Sequence, residues 1–287
     1  MEYLFKFPES LRIGNGEAID IAVKAFSRNH RETLGLIKSA IIASINSINT
    51  LLEAIPWPLL ILLVAYMGWK VSKKPYVGPM YAAMLFFIGM CGLWENMLET
   101  ISMVIVAVFL SVMMGFPLGI IVAMSKRTSA VVRPILDLMQ TMPAFVYLVP
   151  AVILFSPGKT PALIATTIYA VVPMVRMTNL GIIHVDKEMV EAASAFGSTK
   201  MQLLAKVQIP QAMPSIMAGV NQTIMMAMSM VVTCALIGAN GLGMEILLAT
   251  NRTEMGKALM PGISIVIVAI ILDRLTQGMI KKEAPTE

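Results

Sequence analysis

Few side chains in this 287-residue chain could carry out covalent chemistry. There are two histidines, His30 and His184, and two cysteines, Cys91 and Cys234, both cysteines inside apolar runs. They are too few and too scattered for a metal cluster or a disulfide framework. No Ser-His-Asp set, HExxH pair or glycine-rich dinucleotide turn occurs. Gly158-Lys159-Thr160 has the ending of a phosphate-binding loop, but Ile153 stands where that motif needs its first glycine. Pro161 follows where a helix should start. The segment reads as a plain loop, so no catalytic residue, metal or cofactor is expected in this chain.

A second group of side chains is polar within otherwise apolar stretches. Gln140, Thr141 and Tyr147 form one set, and Asn221, Gln222 and Thr223 another. Facing lipid they would be poorly satisfied, so they should face the protein interior. Two uses are open to them: hydrogen bonds between helices, or the lining of a pathway. Pro143, Pro150 and Pro173 break helices nearby and free carbonyls, which kinked packing alone would also explain. Asp137 and Asp273 lie near span ends, and no carboxylate sits mid-span. That speaks against a carrier driven by protons or sodium.

The third group is the polar stretch DKEMVEAASAFGSTKMQLLAKVQIP, 186–210. Asp186 can cap a helix N-terminus, with Glu188 favourable in the first turn. Ala192, Ala193 and Ala195 thin the helix surface. Gly197 can take the left-handed conformation that stops the helix. Thr199 and Gln202 have capping-box spacing for a second short helix, with Pro210 near its end. Helix, sharp bend, helix is predicted. It reads either as a self-contained hairpin or as a docking surface for another protein.

These residues must be positioned by membrane-spanning helices. The composition is 57% hydrophobic and 14% charged, about half the charge of an ordinary soluble domain. A soluble fold and a disordered chain are both excluded, and a net charge of +5 leaves no nucleic-acid footprint. Apolar runs predict seven spans, near 54–69, 76–92, 97–124, 135–156, 160–180, 212–238 and 257–275. Gly115 and Gly119 give the third a face for close helix contact, and Pro117 a kink. Before the spans, Ile37, Ile41, Ile45, Ile48 and Leu52 recur at helical spacing among polar residues. That pattern predicts an amphipathic helix lying at the interface.

Lys and Arg set the orientation. Thirteen fall on one side: Lys70, Lys73, Lys74, Lys126, Arg127, Arg133, Arg176, Lys187, Lys200, Lys206, Arg274, Lys281 and Lys282. Only Lys159, Arg252 and Lys257 fall opposite. The first side, with 181–211, is therefore cytoplasmic, and the N-terminal tail is external. Six cations in that tail (Lys6, Arg12, Lys24, Arg28, Arg31 and Lys38) oppose this placement.

Glu191-Ala192-Ala193, three residues, Gly197, nine residues, then Val207-Gln208-Ile209-Pro210 resembles the EAA signature of ABC importer permeases. Val207 and Ile209 are conservative departures from it. LDLMQTMPAFVYLVPAVILF (136–155), VRMTNLGI (175–182), NQTIMMAMSMVV (221–232), GANGLG (238–243) and IVIVAIILDRLTQ (265–277) resemble the glycine betaine/proline betaine subfamily. The resemblance covers roughly 95–277. It implies an all-α integral membrane protein with the ABC type I importer (MetI-like) transmembrane fold. It divides the chain into a tail and amphipathic helix (1–53), two accessory spans (54–94) and a core (95–280). It also implies that Glu191, Ala192, Ala193, Ser194, Phe196, Gly197 and Pro210 belong to a coupling segment seated in a cytoplasmic ATPase subunit. ATP and Mg would then be bound by that partner. Two copies of the chain, two ATPases and an external substrate-binding protein would form an importer of betaines in a prokaryotic cell membrane. Choline, carnitine or an amino acid are the alternative cargoes.

Overall fold

The computed structural model describes residues 16–280. The expectations for Lys6, Arg12, Lys281 and Lys282 lie outside the described residues. Among the described residues every regular element is helical. In chain order these are α1 Gly16–Asn29, α2 Arg31–Glu53, α3 Trp57–Ser72, α4 Val77–Met90, α5 Trp94–Met124 and α6 Lys126–Thr141. A 3-10 turn, Ala144–Tyr147, leads to α7 Leu148–Phe155 and α8 Lys159–Ile183. Then follow α9 Lys187–Ala195, α10 Lys200–Leu203, a π-helical turn Leu204–Gln208, α11 Ile209–Ala235, α12 Leu242–Asn251 and α13 Met255–Ile280.

The centre is the α5–α8–α11 sheaf. Small residues let these helices approach. Gly115 meets Met174 and Val171, Gly119 meets Thr178, and Ser111 donates to the Thr167 carbonyl at 3.1 Å. On the other side of α8, Gly219 meets Met177 and Gly181 meets Ser215 and Ala212. Without a hydrophobic drive between helices in lipid, such close backbone approach supplies the packing energy. The predicted GxxxG face is thus the α5–α8 contact. α5 continues through Pro117 as one 31-residue helix, about 46 Å long and more than one bilayer thickness.

The other spans depart from simple crossings. α3 and α4 form a hairpin of only 16 and 14 residues. The 135–156 run is broken: α6 and the Ala144–Phe155 helix meet at 111°, across Met142-Pro143. Pro143 cannot donate the bond that would carry a helix through. Arg176, counted above among connector cations, lies inside α8 and pairs with Asp137 of α6.

α2 is long and apolar enough to cross a membrane. Its contacts run to α5, α7 and α8. Lys38 donates to the Phe155 carbonyl at 3.3 Å, and Ser102 donates to the Asn49 side chain at 3.2 Å. Both partners lie near the end where Lys159 of α8 pairs with Glu99 of α5 at 2.5 Å. Ile41, Ile45 and Ile48 of the predicted stripe pack there against Met103, Ala107 and Leu163, while Ile37 is exposed.

Candidate coupling surface and pathway

The 186–199 segment projects from the bundle end opposite Lys159. Each local signal in its sequence is realised. The Asp186 carboxylate accepts the Glu188 N–H at 2.9 Å and starts α9. Gly197 has φ +81°, and the Gly197 and Ser198 amides close the turn onto the Ser194 and Ala193 carbonyls. Thr199 and Gln202 form the full capping box of α10.

No residue of α9 is buried. Val190 packs toward Val185 and Leu204, which fixes the helix on the bundle. Glu191, Ala192, Ser194 and Gly197 are exposed, and Ala193 is half-buried, turned partly inward. Phe196 is 92% exposed. A phenylalanine standing almost free in the polar end of a membrane protein has no role in the chain's own packing. Exposed aromatics of this kind serve as interface anchors.

Pro210 differs from expectation. The second helix is not short: Lys200–Ala235 runs as one 36-residue helix into the bundle. Pro210 sits near the start of α11, just after the π turn, where the Ile209 N–H reaches back five residues to the Leu204 carbonyl. That local widening absorbs the hydrogen bond that proline cannot donate. The 186–199 segment is therefore continuous with the long helix that packs on α8.

The six polar candidates separate into two groups. Tyr147 is buried and its hydroxyl donates to the Met139 carbonyl, a group freed by the α6 break. Thr223 is buried and donates to the Gly219 carbonyl at 2.9 Å. Asn221 donates to Asp273 of α13 at 2.8 Å, and Gln277 donates to the same oxygen at 2.7 Å. All three side chains are hydrogen-bonded within the chain. Gln140, Thr141 and Gln222 are exposed. Gln222 belongs to a stripe on α11 with Met225, Ser229 and Val232, spaced three and four residues apart and all exposed, which continues to Leu236 just past the helix end. The 3-10 turn packs beside α11 and leaves Phe145 and Val146 exposed. One helix face and one broken helix thus present sparse polar groups on an otherwise apolar surface.

The opposite end is closed by ties that the sequence reading missed. The Thr100 hydroxyl accepts the Leu242 N–H at 2.9 Å and donates to the Asn96 carbonyl at 2.8 Å. Asn96 also donates to Glu245 at 3.0 Å. Gly241, φ +104°, leaves room for Thr100, which accounts for one glycine of the GANGLG run. Gly158 donates to the Ile237 carbonyl at 2.8 Å. Lys159 begins α8 and is held by Glu99, so its ammonium faces a carboxylate. Pro161 occupies the first turn of that helix, where no N–H is needed, and does not oppose a helix start.

Residues 115–282 match the family described as binding-protein-dependent transport system inner membrane component. The chain is 45% identical, over 82% of its length, to a glycine betaine/proline betaine transport system permease protein of Escherichia coli, spanning 66% of that relative. It is 47% identical, over 79% of its length, to a glycine betaine/carnitine transport permease protein of Listeria monocytogenes, spanning 81% of it. An inward-facing structure of a methionine ABC transporter superposes with a TM-score of 0.60 at 19% identity, over 67% of this chain and 96% of that one. Family match, helical fold and level of identity agree: the chain belongs to the binding-protein-dependent transport system inner membrane component family and is a multi-pass transport permease.

Proposed function

We propose that the chain is the membrane subunit of an ATP-driven importer of glycine betaine or a related quaternary-ammonium solute, used in osmoprotection in a prokaryotic cell membrane. Two copies enclose the pathway, two cytoplasmic ATPases bind ATP and Mg, and an external binding protein delivers the cargo. The observation that carries the reading is the exposed α9–Gly197–α10 bend, fixed on the bundle by Val190 and ending in the free Phe196 ring. It is rigid enough to transmit a push and bare enough to be gripped.

The substrate class rests on the two relatives whose names carry glycine betaine. The pathway chemistry is compatible with it. A trimethylammonium group is held tightly by several aromatic faces. Phe145 is an exposed aromatic on the turn that packs beside α11, and Gln140, Thr141 and Gln222 are neutral. Such a surface binds a zwitterion weakly and lets it leave. ATP-driven closure of the ATPase pair would move α9, and with it the continuous α10–α11 helix that carries the stripe.

The test is uptake of labelled glycine betaine into vesicles containing the permease, its ATPase and its binding protein. Uptake that requires internal or external ATP on the ATPase side and the binding protein supports the reading. Uptake driven by an ion gradient without ATP, or of an amino acid alone, overturns it.

A further inference from the structure

We infer that α1 and α2 form a binding site for the headgroup of an anionic phospholipid, at the bundle end opposite the coupling segment. Lys24, Arg28 and Arg31 recur at spacings of four and three, and Lys38 follows seven residues later. The His30 amide donates to the Phe26 carbonyl and the Leu34 amide to the His30 carbonyl, so helical bonding spans the α1–α2 junction. At 3.6 residues per turn the four cations therefore share one face.

That face does not point into open space. It forms one wall of a groove of about 550 Å³, whose other wall is the end of α7, Leu154 to Ser156. Among the described residues four cations and the Ser27 hydroxyl line it, and no carboxylate does. Asp20, one turn before Lys24, is the nearest acid along the stripe, and Glu32 lies off it. Four ammonium and guanidinium groups around one groove repel each other unless an anion sits among them.

Lipid, rather than an acidic protein, is the occupant that the surroundings favour. Phe26, Leu36 and Ile37 stand exposed on other faces of the same two helices. Cations on one face and bare apolar side chains on another are the pattern of a helix lying in the headgroup region. α2 is tied to Phe155 of α7 and Ser102 of α5, so the groove lies at the end of the bundle where Lys159 meets Glu99. Lys24, Arg28, Arg31 and Lys38, four of the cations that oppose the charge rule, thereby acquire a counter-charge from the membrane itself.

The test uses the assembled transporter, purified with its ATPase from membranes containing phosphatidylglycerol and cardiolipin. Retained lipid is counted by native mass spectrometry through stepwise delipidation. Lys24→Gln/Arg28→Gln/Arg31→Gln should retain anionic lipid on the order of a hundredfold less well, about fivefold per lost cation. Arg28→Lys/Arg31→Lys, which keeps the charge, should retain it nearly as well as wild type. Inorganic phosphate at 100-fold excess should fail to displace it, because the acyl chains contribute. The inference is overturned by equal retention in the triple variant, by equal retention of phosphatidylcholine, or by displacement with phosphate. It is also overturned if the triple variant keeps its lipid and instead loses affinity for the external binding protein.

Discussion

The Gln202 backbone N–H donates to the Thr199 hydroxyl at 3.3 Å while the Thr199 N–H donates to the Gln202 side chain at 2.9 Å. This reciprocal pair begins two residues after Gly197 leaves the right-handed region. The bend between α9 and α10 is therefore locked from both sides, and it cannot be lengthened or relaxed without breaking a cap. A locked bend is what a lever between two proteins requires.

Gly197→Val should uncouple the machine without unfolding it. At φ +81° a β-branched residue costs at least about 1–2 kcal/mol. Nothing stands within 4 Å of an added Cβ, so the damage is confined to the bend and whatever docks on it. Membrane insertion and protomer stability should match wild type. Substrate-stimulated ATP hydrolysis in reconstituted vesicles should fall about tenfold.

Gln222→Leu and Thr223→Val are adjacent and should behave oppositely. Gln222 lies on the exposed α11 stripe, so its loss should alter uptake rate or substrate preference at unchanged thermal stability. Thr223 is buried and bonded to its own helix, so valine should lower stability by about 1 kcal/mol and leave transport unchanged. Equal effects on uptake would show that the stripe is not the pathway. Initial uptake rates and unfolding midpoints measure both.

Gly119→Leu should prevent assembly of the sheaf. The leucine would meet Thr178 and the Val175 carbonyl across the α5–α8 contact. Overpacking of this kind costs about 1–3 kcal/mol even where neighbours can shift, and backbone cannot shift cheaply. The expected readout is reduced yield of monodisperse protein in detergent, partly restored by Thr178→Ala.

Lys159→Ala should leave ATP hydrolysis by the complex intact. The ammonium is engaged by Glu99, and the pair contributes about 0–1 kcal/mol. A small fall in melting temperature, absent when Lys159→Ala is made in the Glu99→Gln background, should be all that thermal unfolding detects.

Much of this was legible in the residues, and what escaped has a common cause. Asp186, Gly197 and the Thr199–Gln202 box announce their structure because caps and left-handed turns are local. Gly115 and Gly119 were legible because only small residues permit close backbone approach. Pro143 announced a break, but not its 111° change of direction, which hydropathy does not register; Pro150 and Pro173, also expected to break helices, lie inside the continuous α7 and α8. Arg176 looked like a connector residue because its partner, Asp137, is 39 residues away. The ties of Thr100 to Leu242 and Asn96 to Glu245 join segments about 140–150 residues apart, beyond any pattern of period or spacing. The use of Tyr147 as a cap for a freed carbonyl was equally invisible, because the freed carbonyl arises only from the break.

The central claim is that the ATPase grips the bend at Phe196. A photo-cross-linking amino acid placed at position 196, in the complex with ATPase and binding protein, measures this directly. An adduct to the ATPase subunit is expected, in high yield without nucleotide and changed in yield or position when ATP closes the ATPase pair. An adduct to the external binding protein or to lipid alone, with the ATPase still bound, would contradict it.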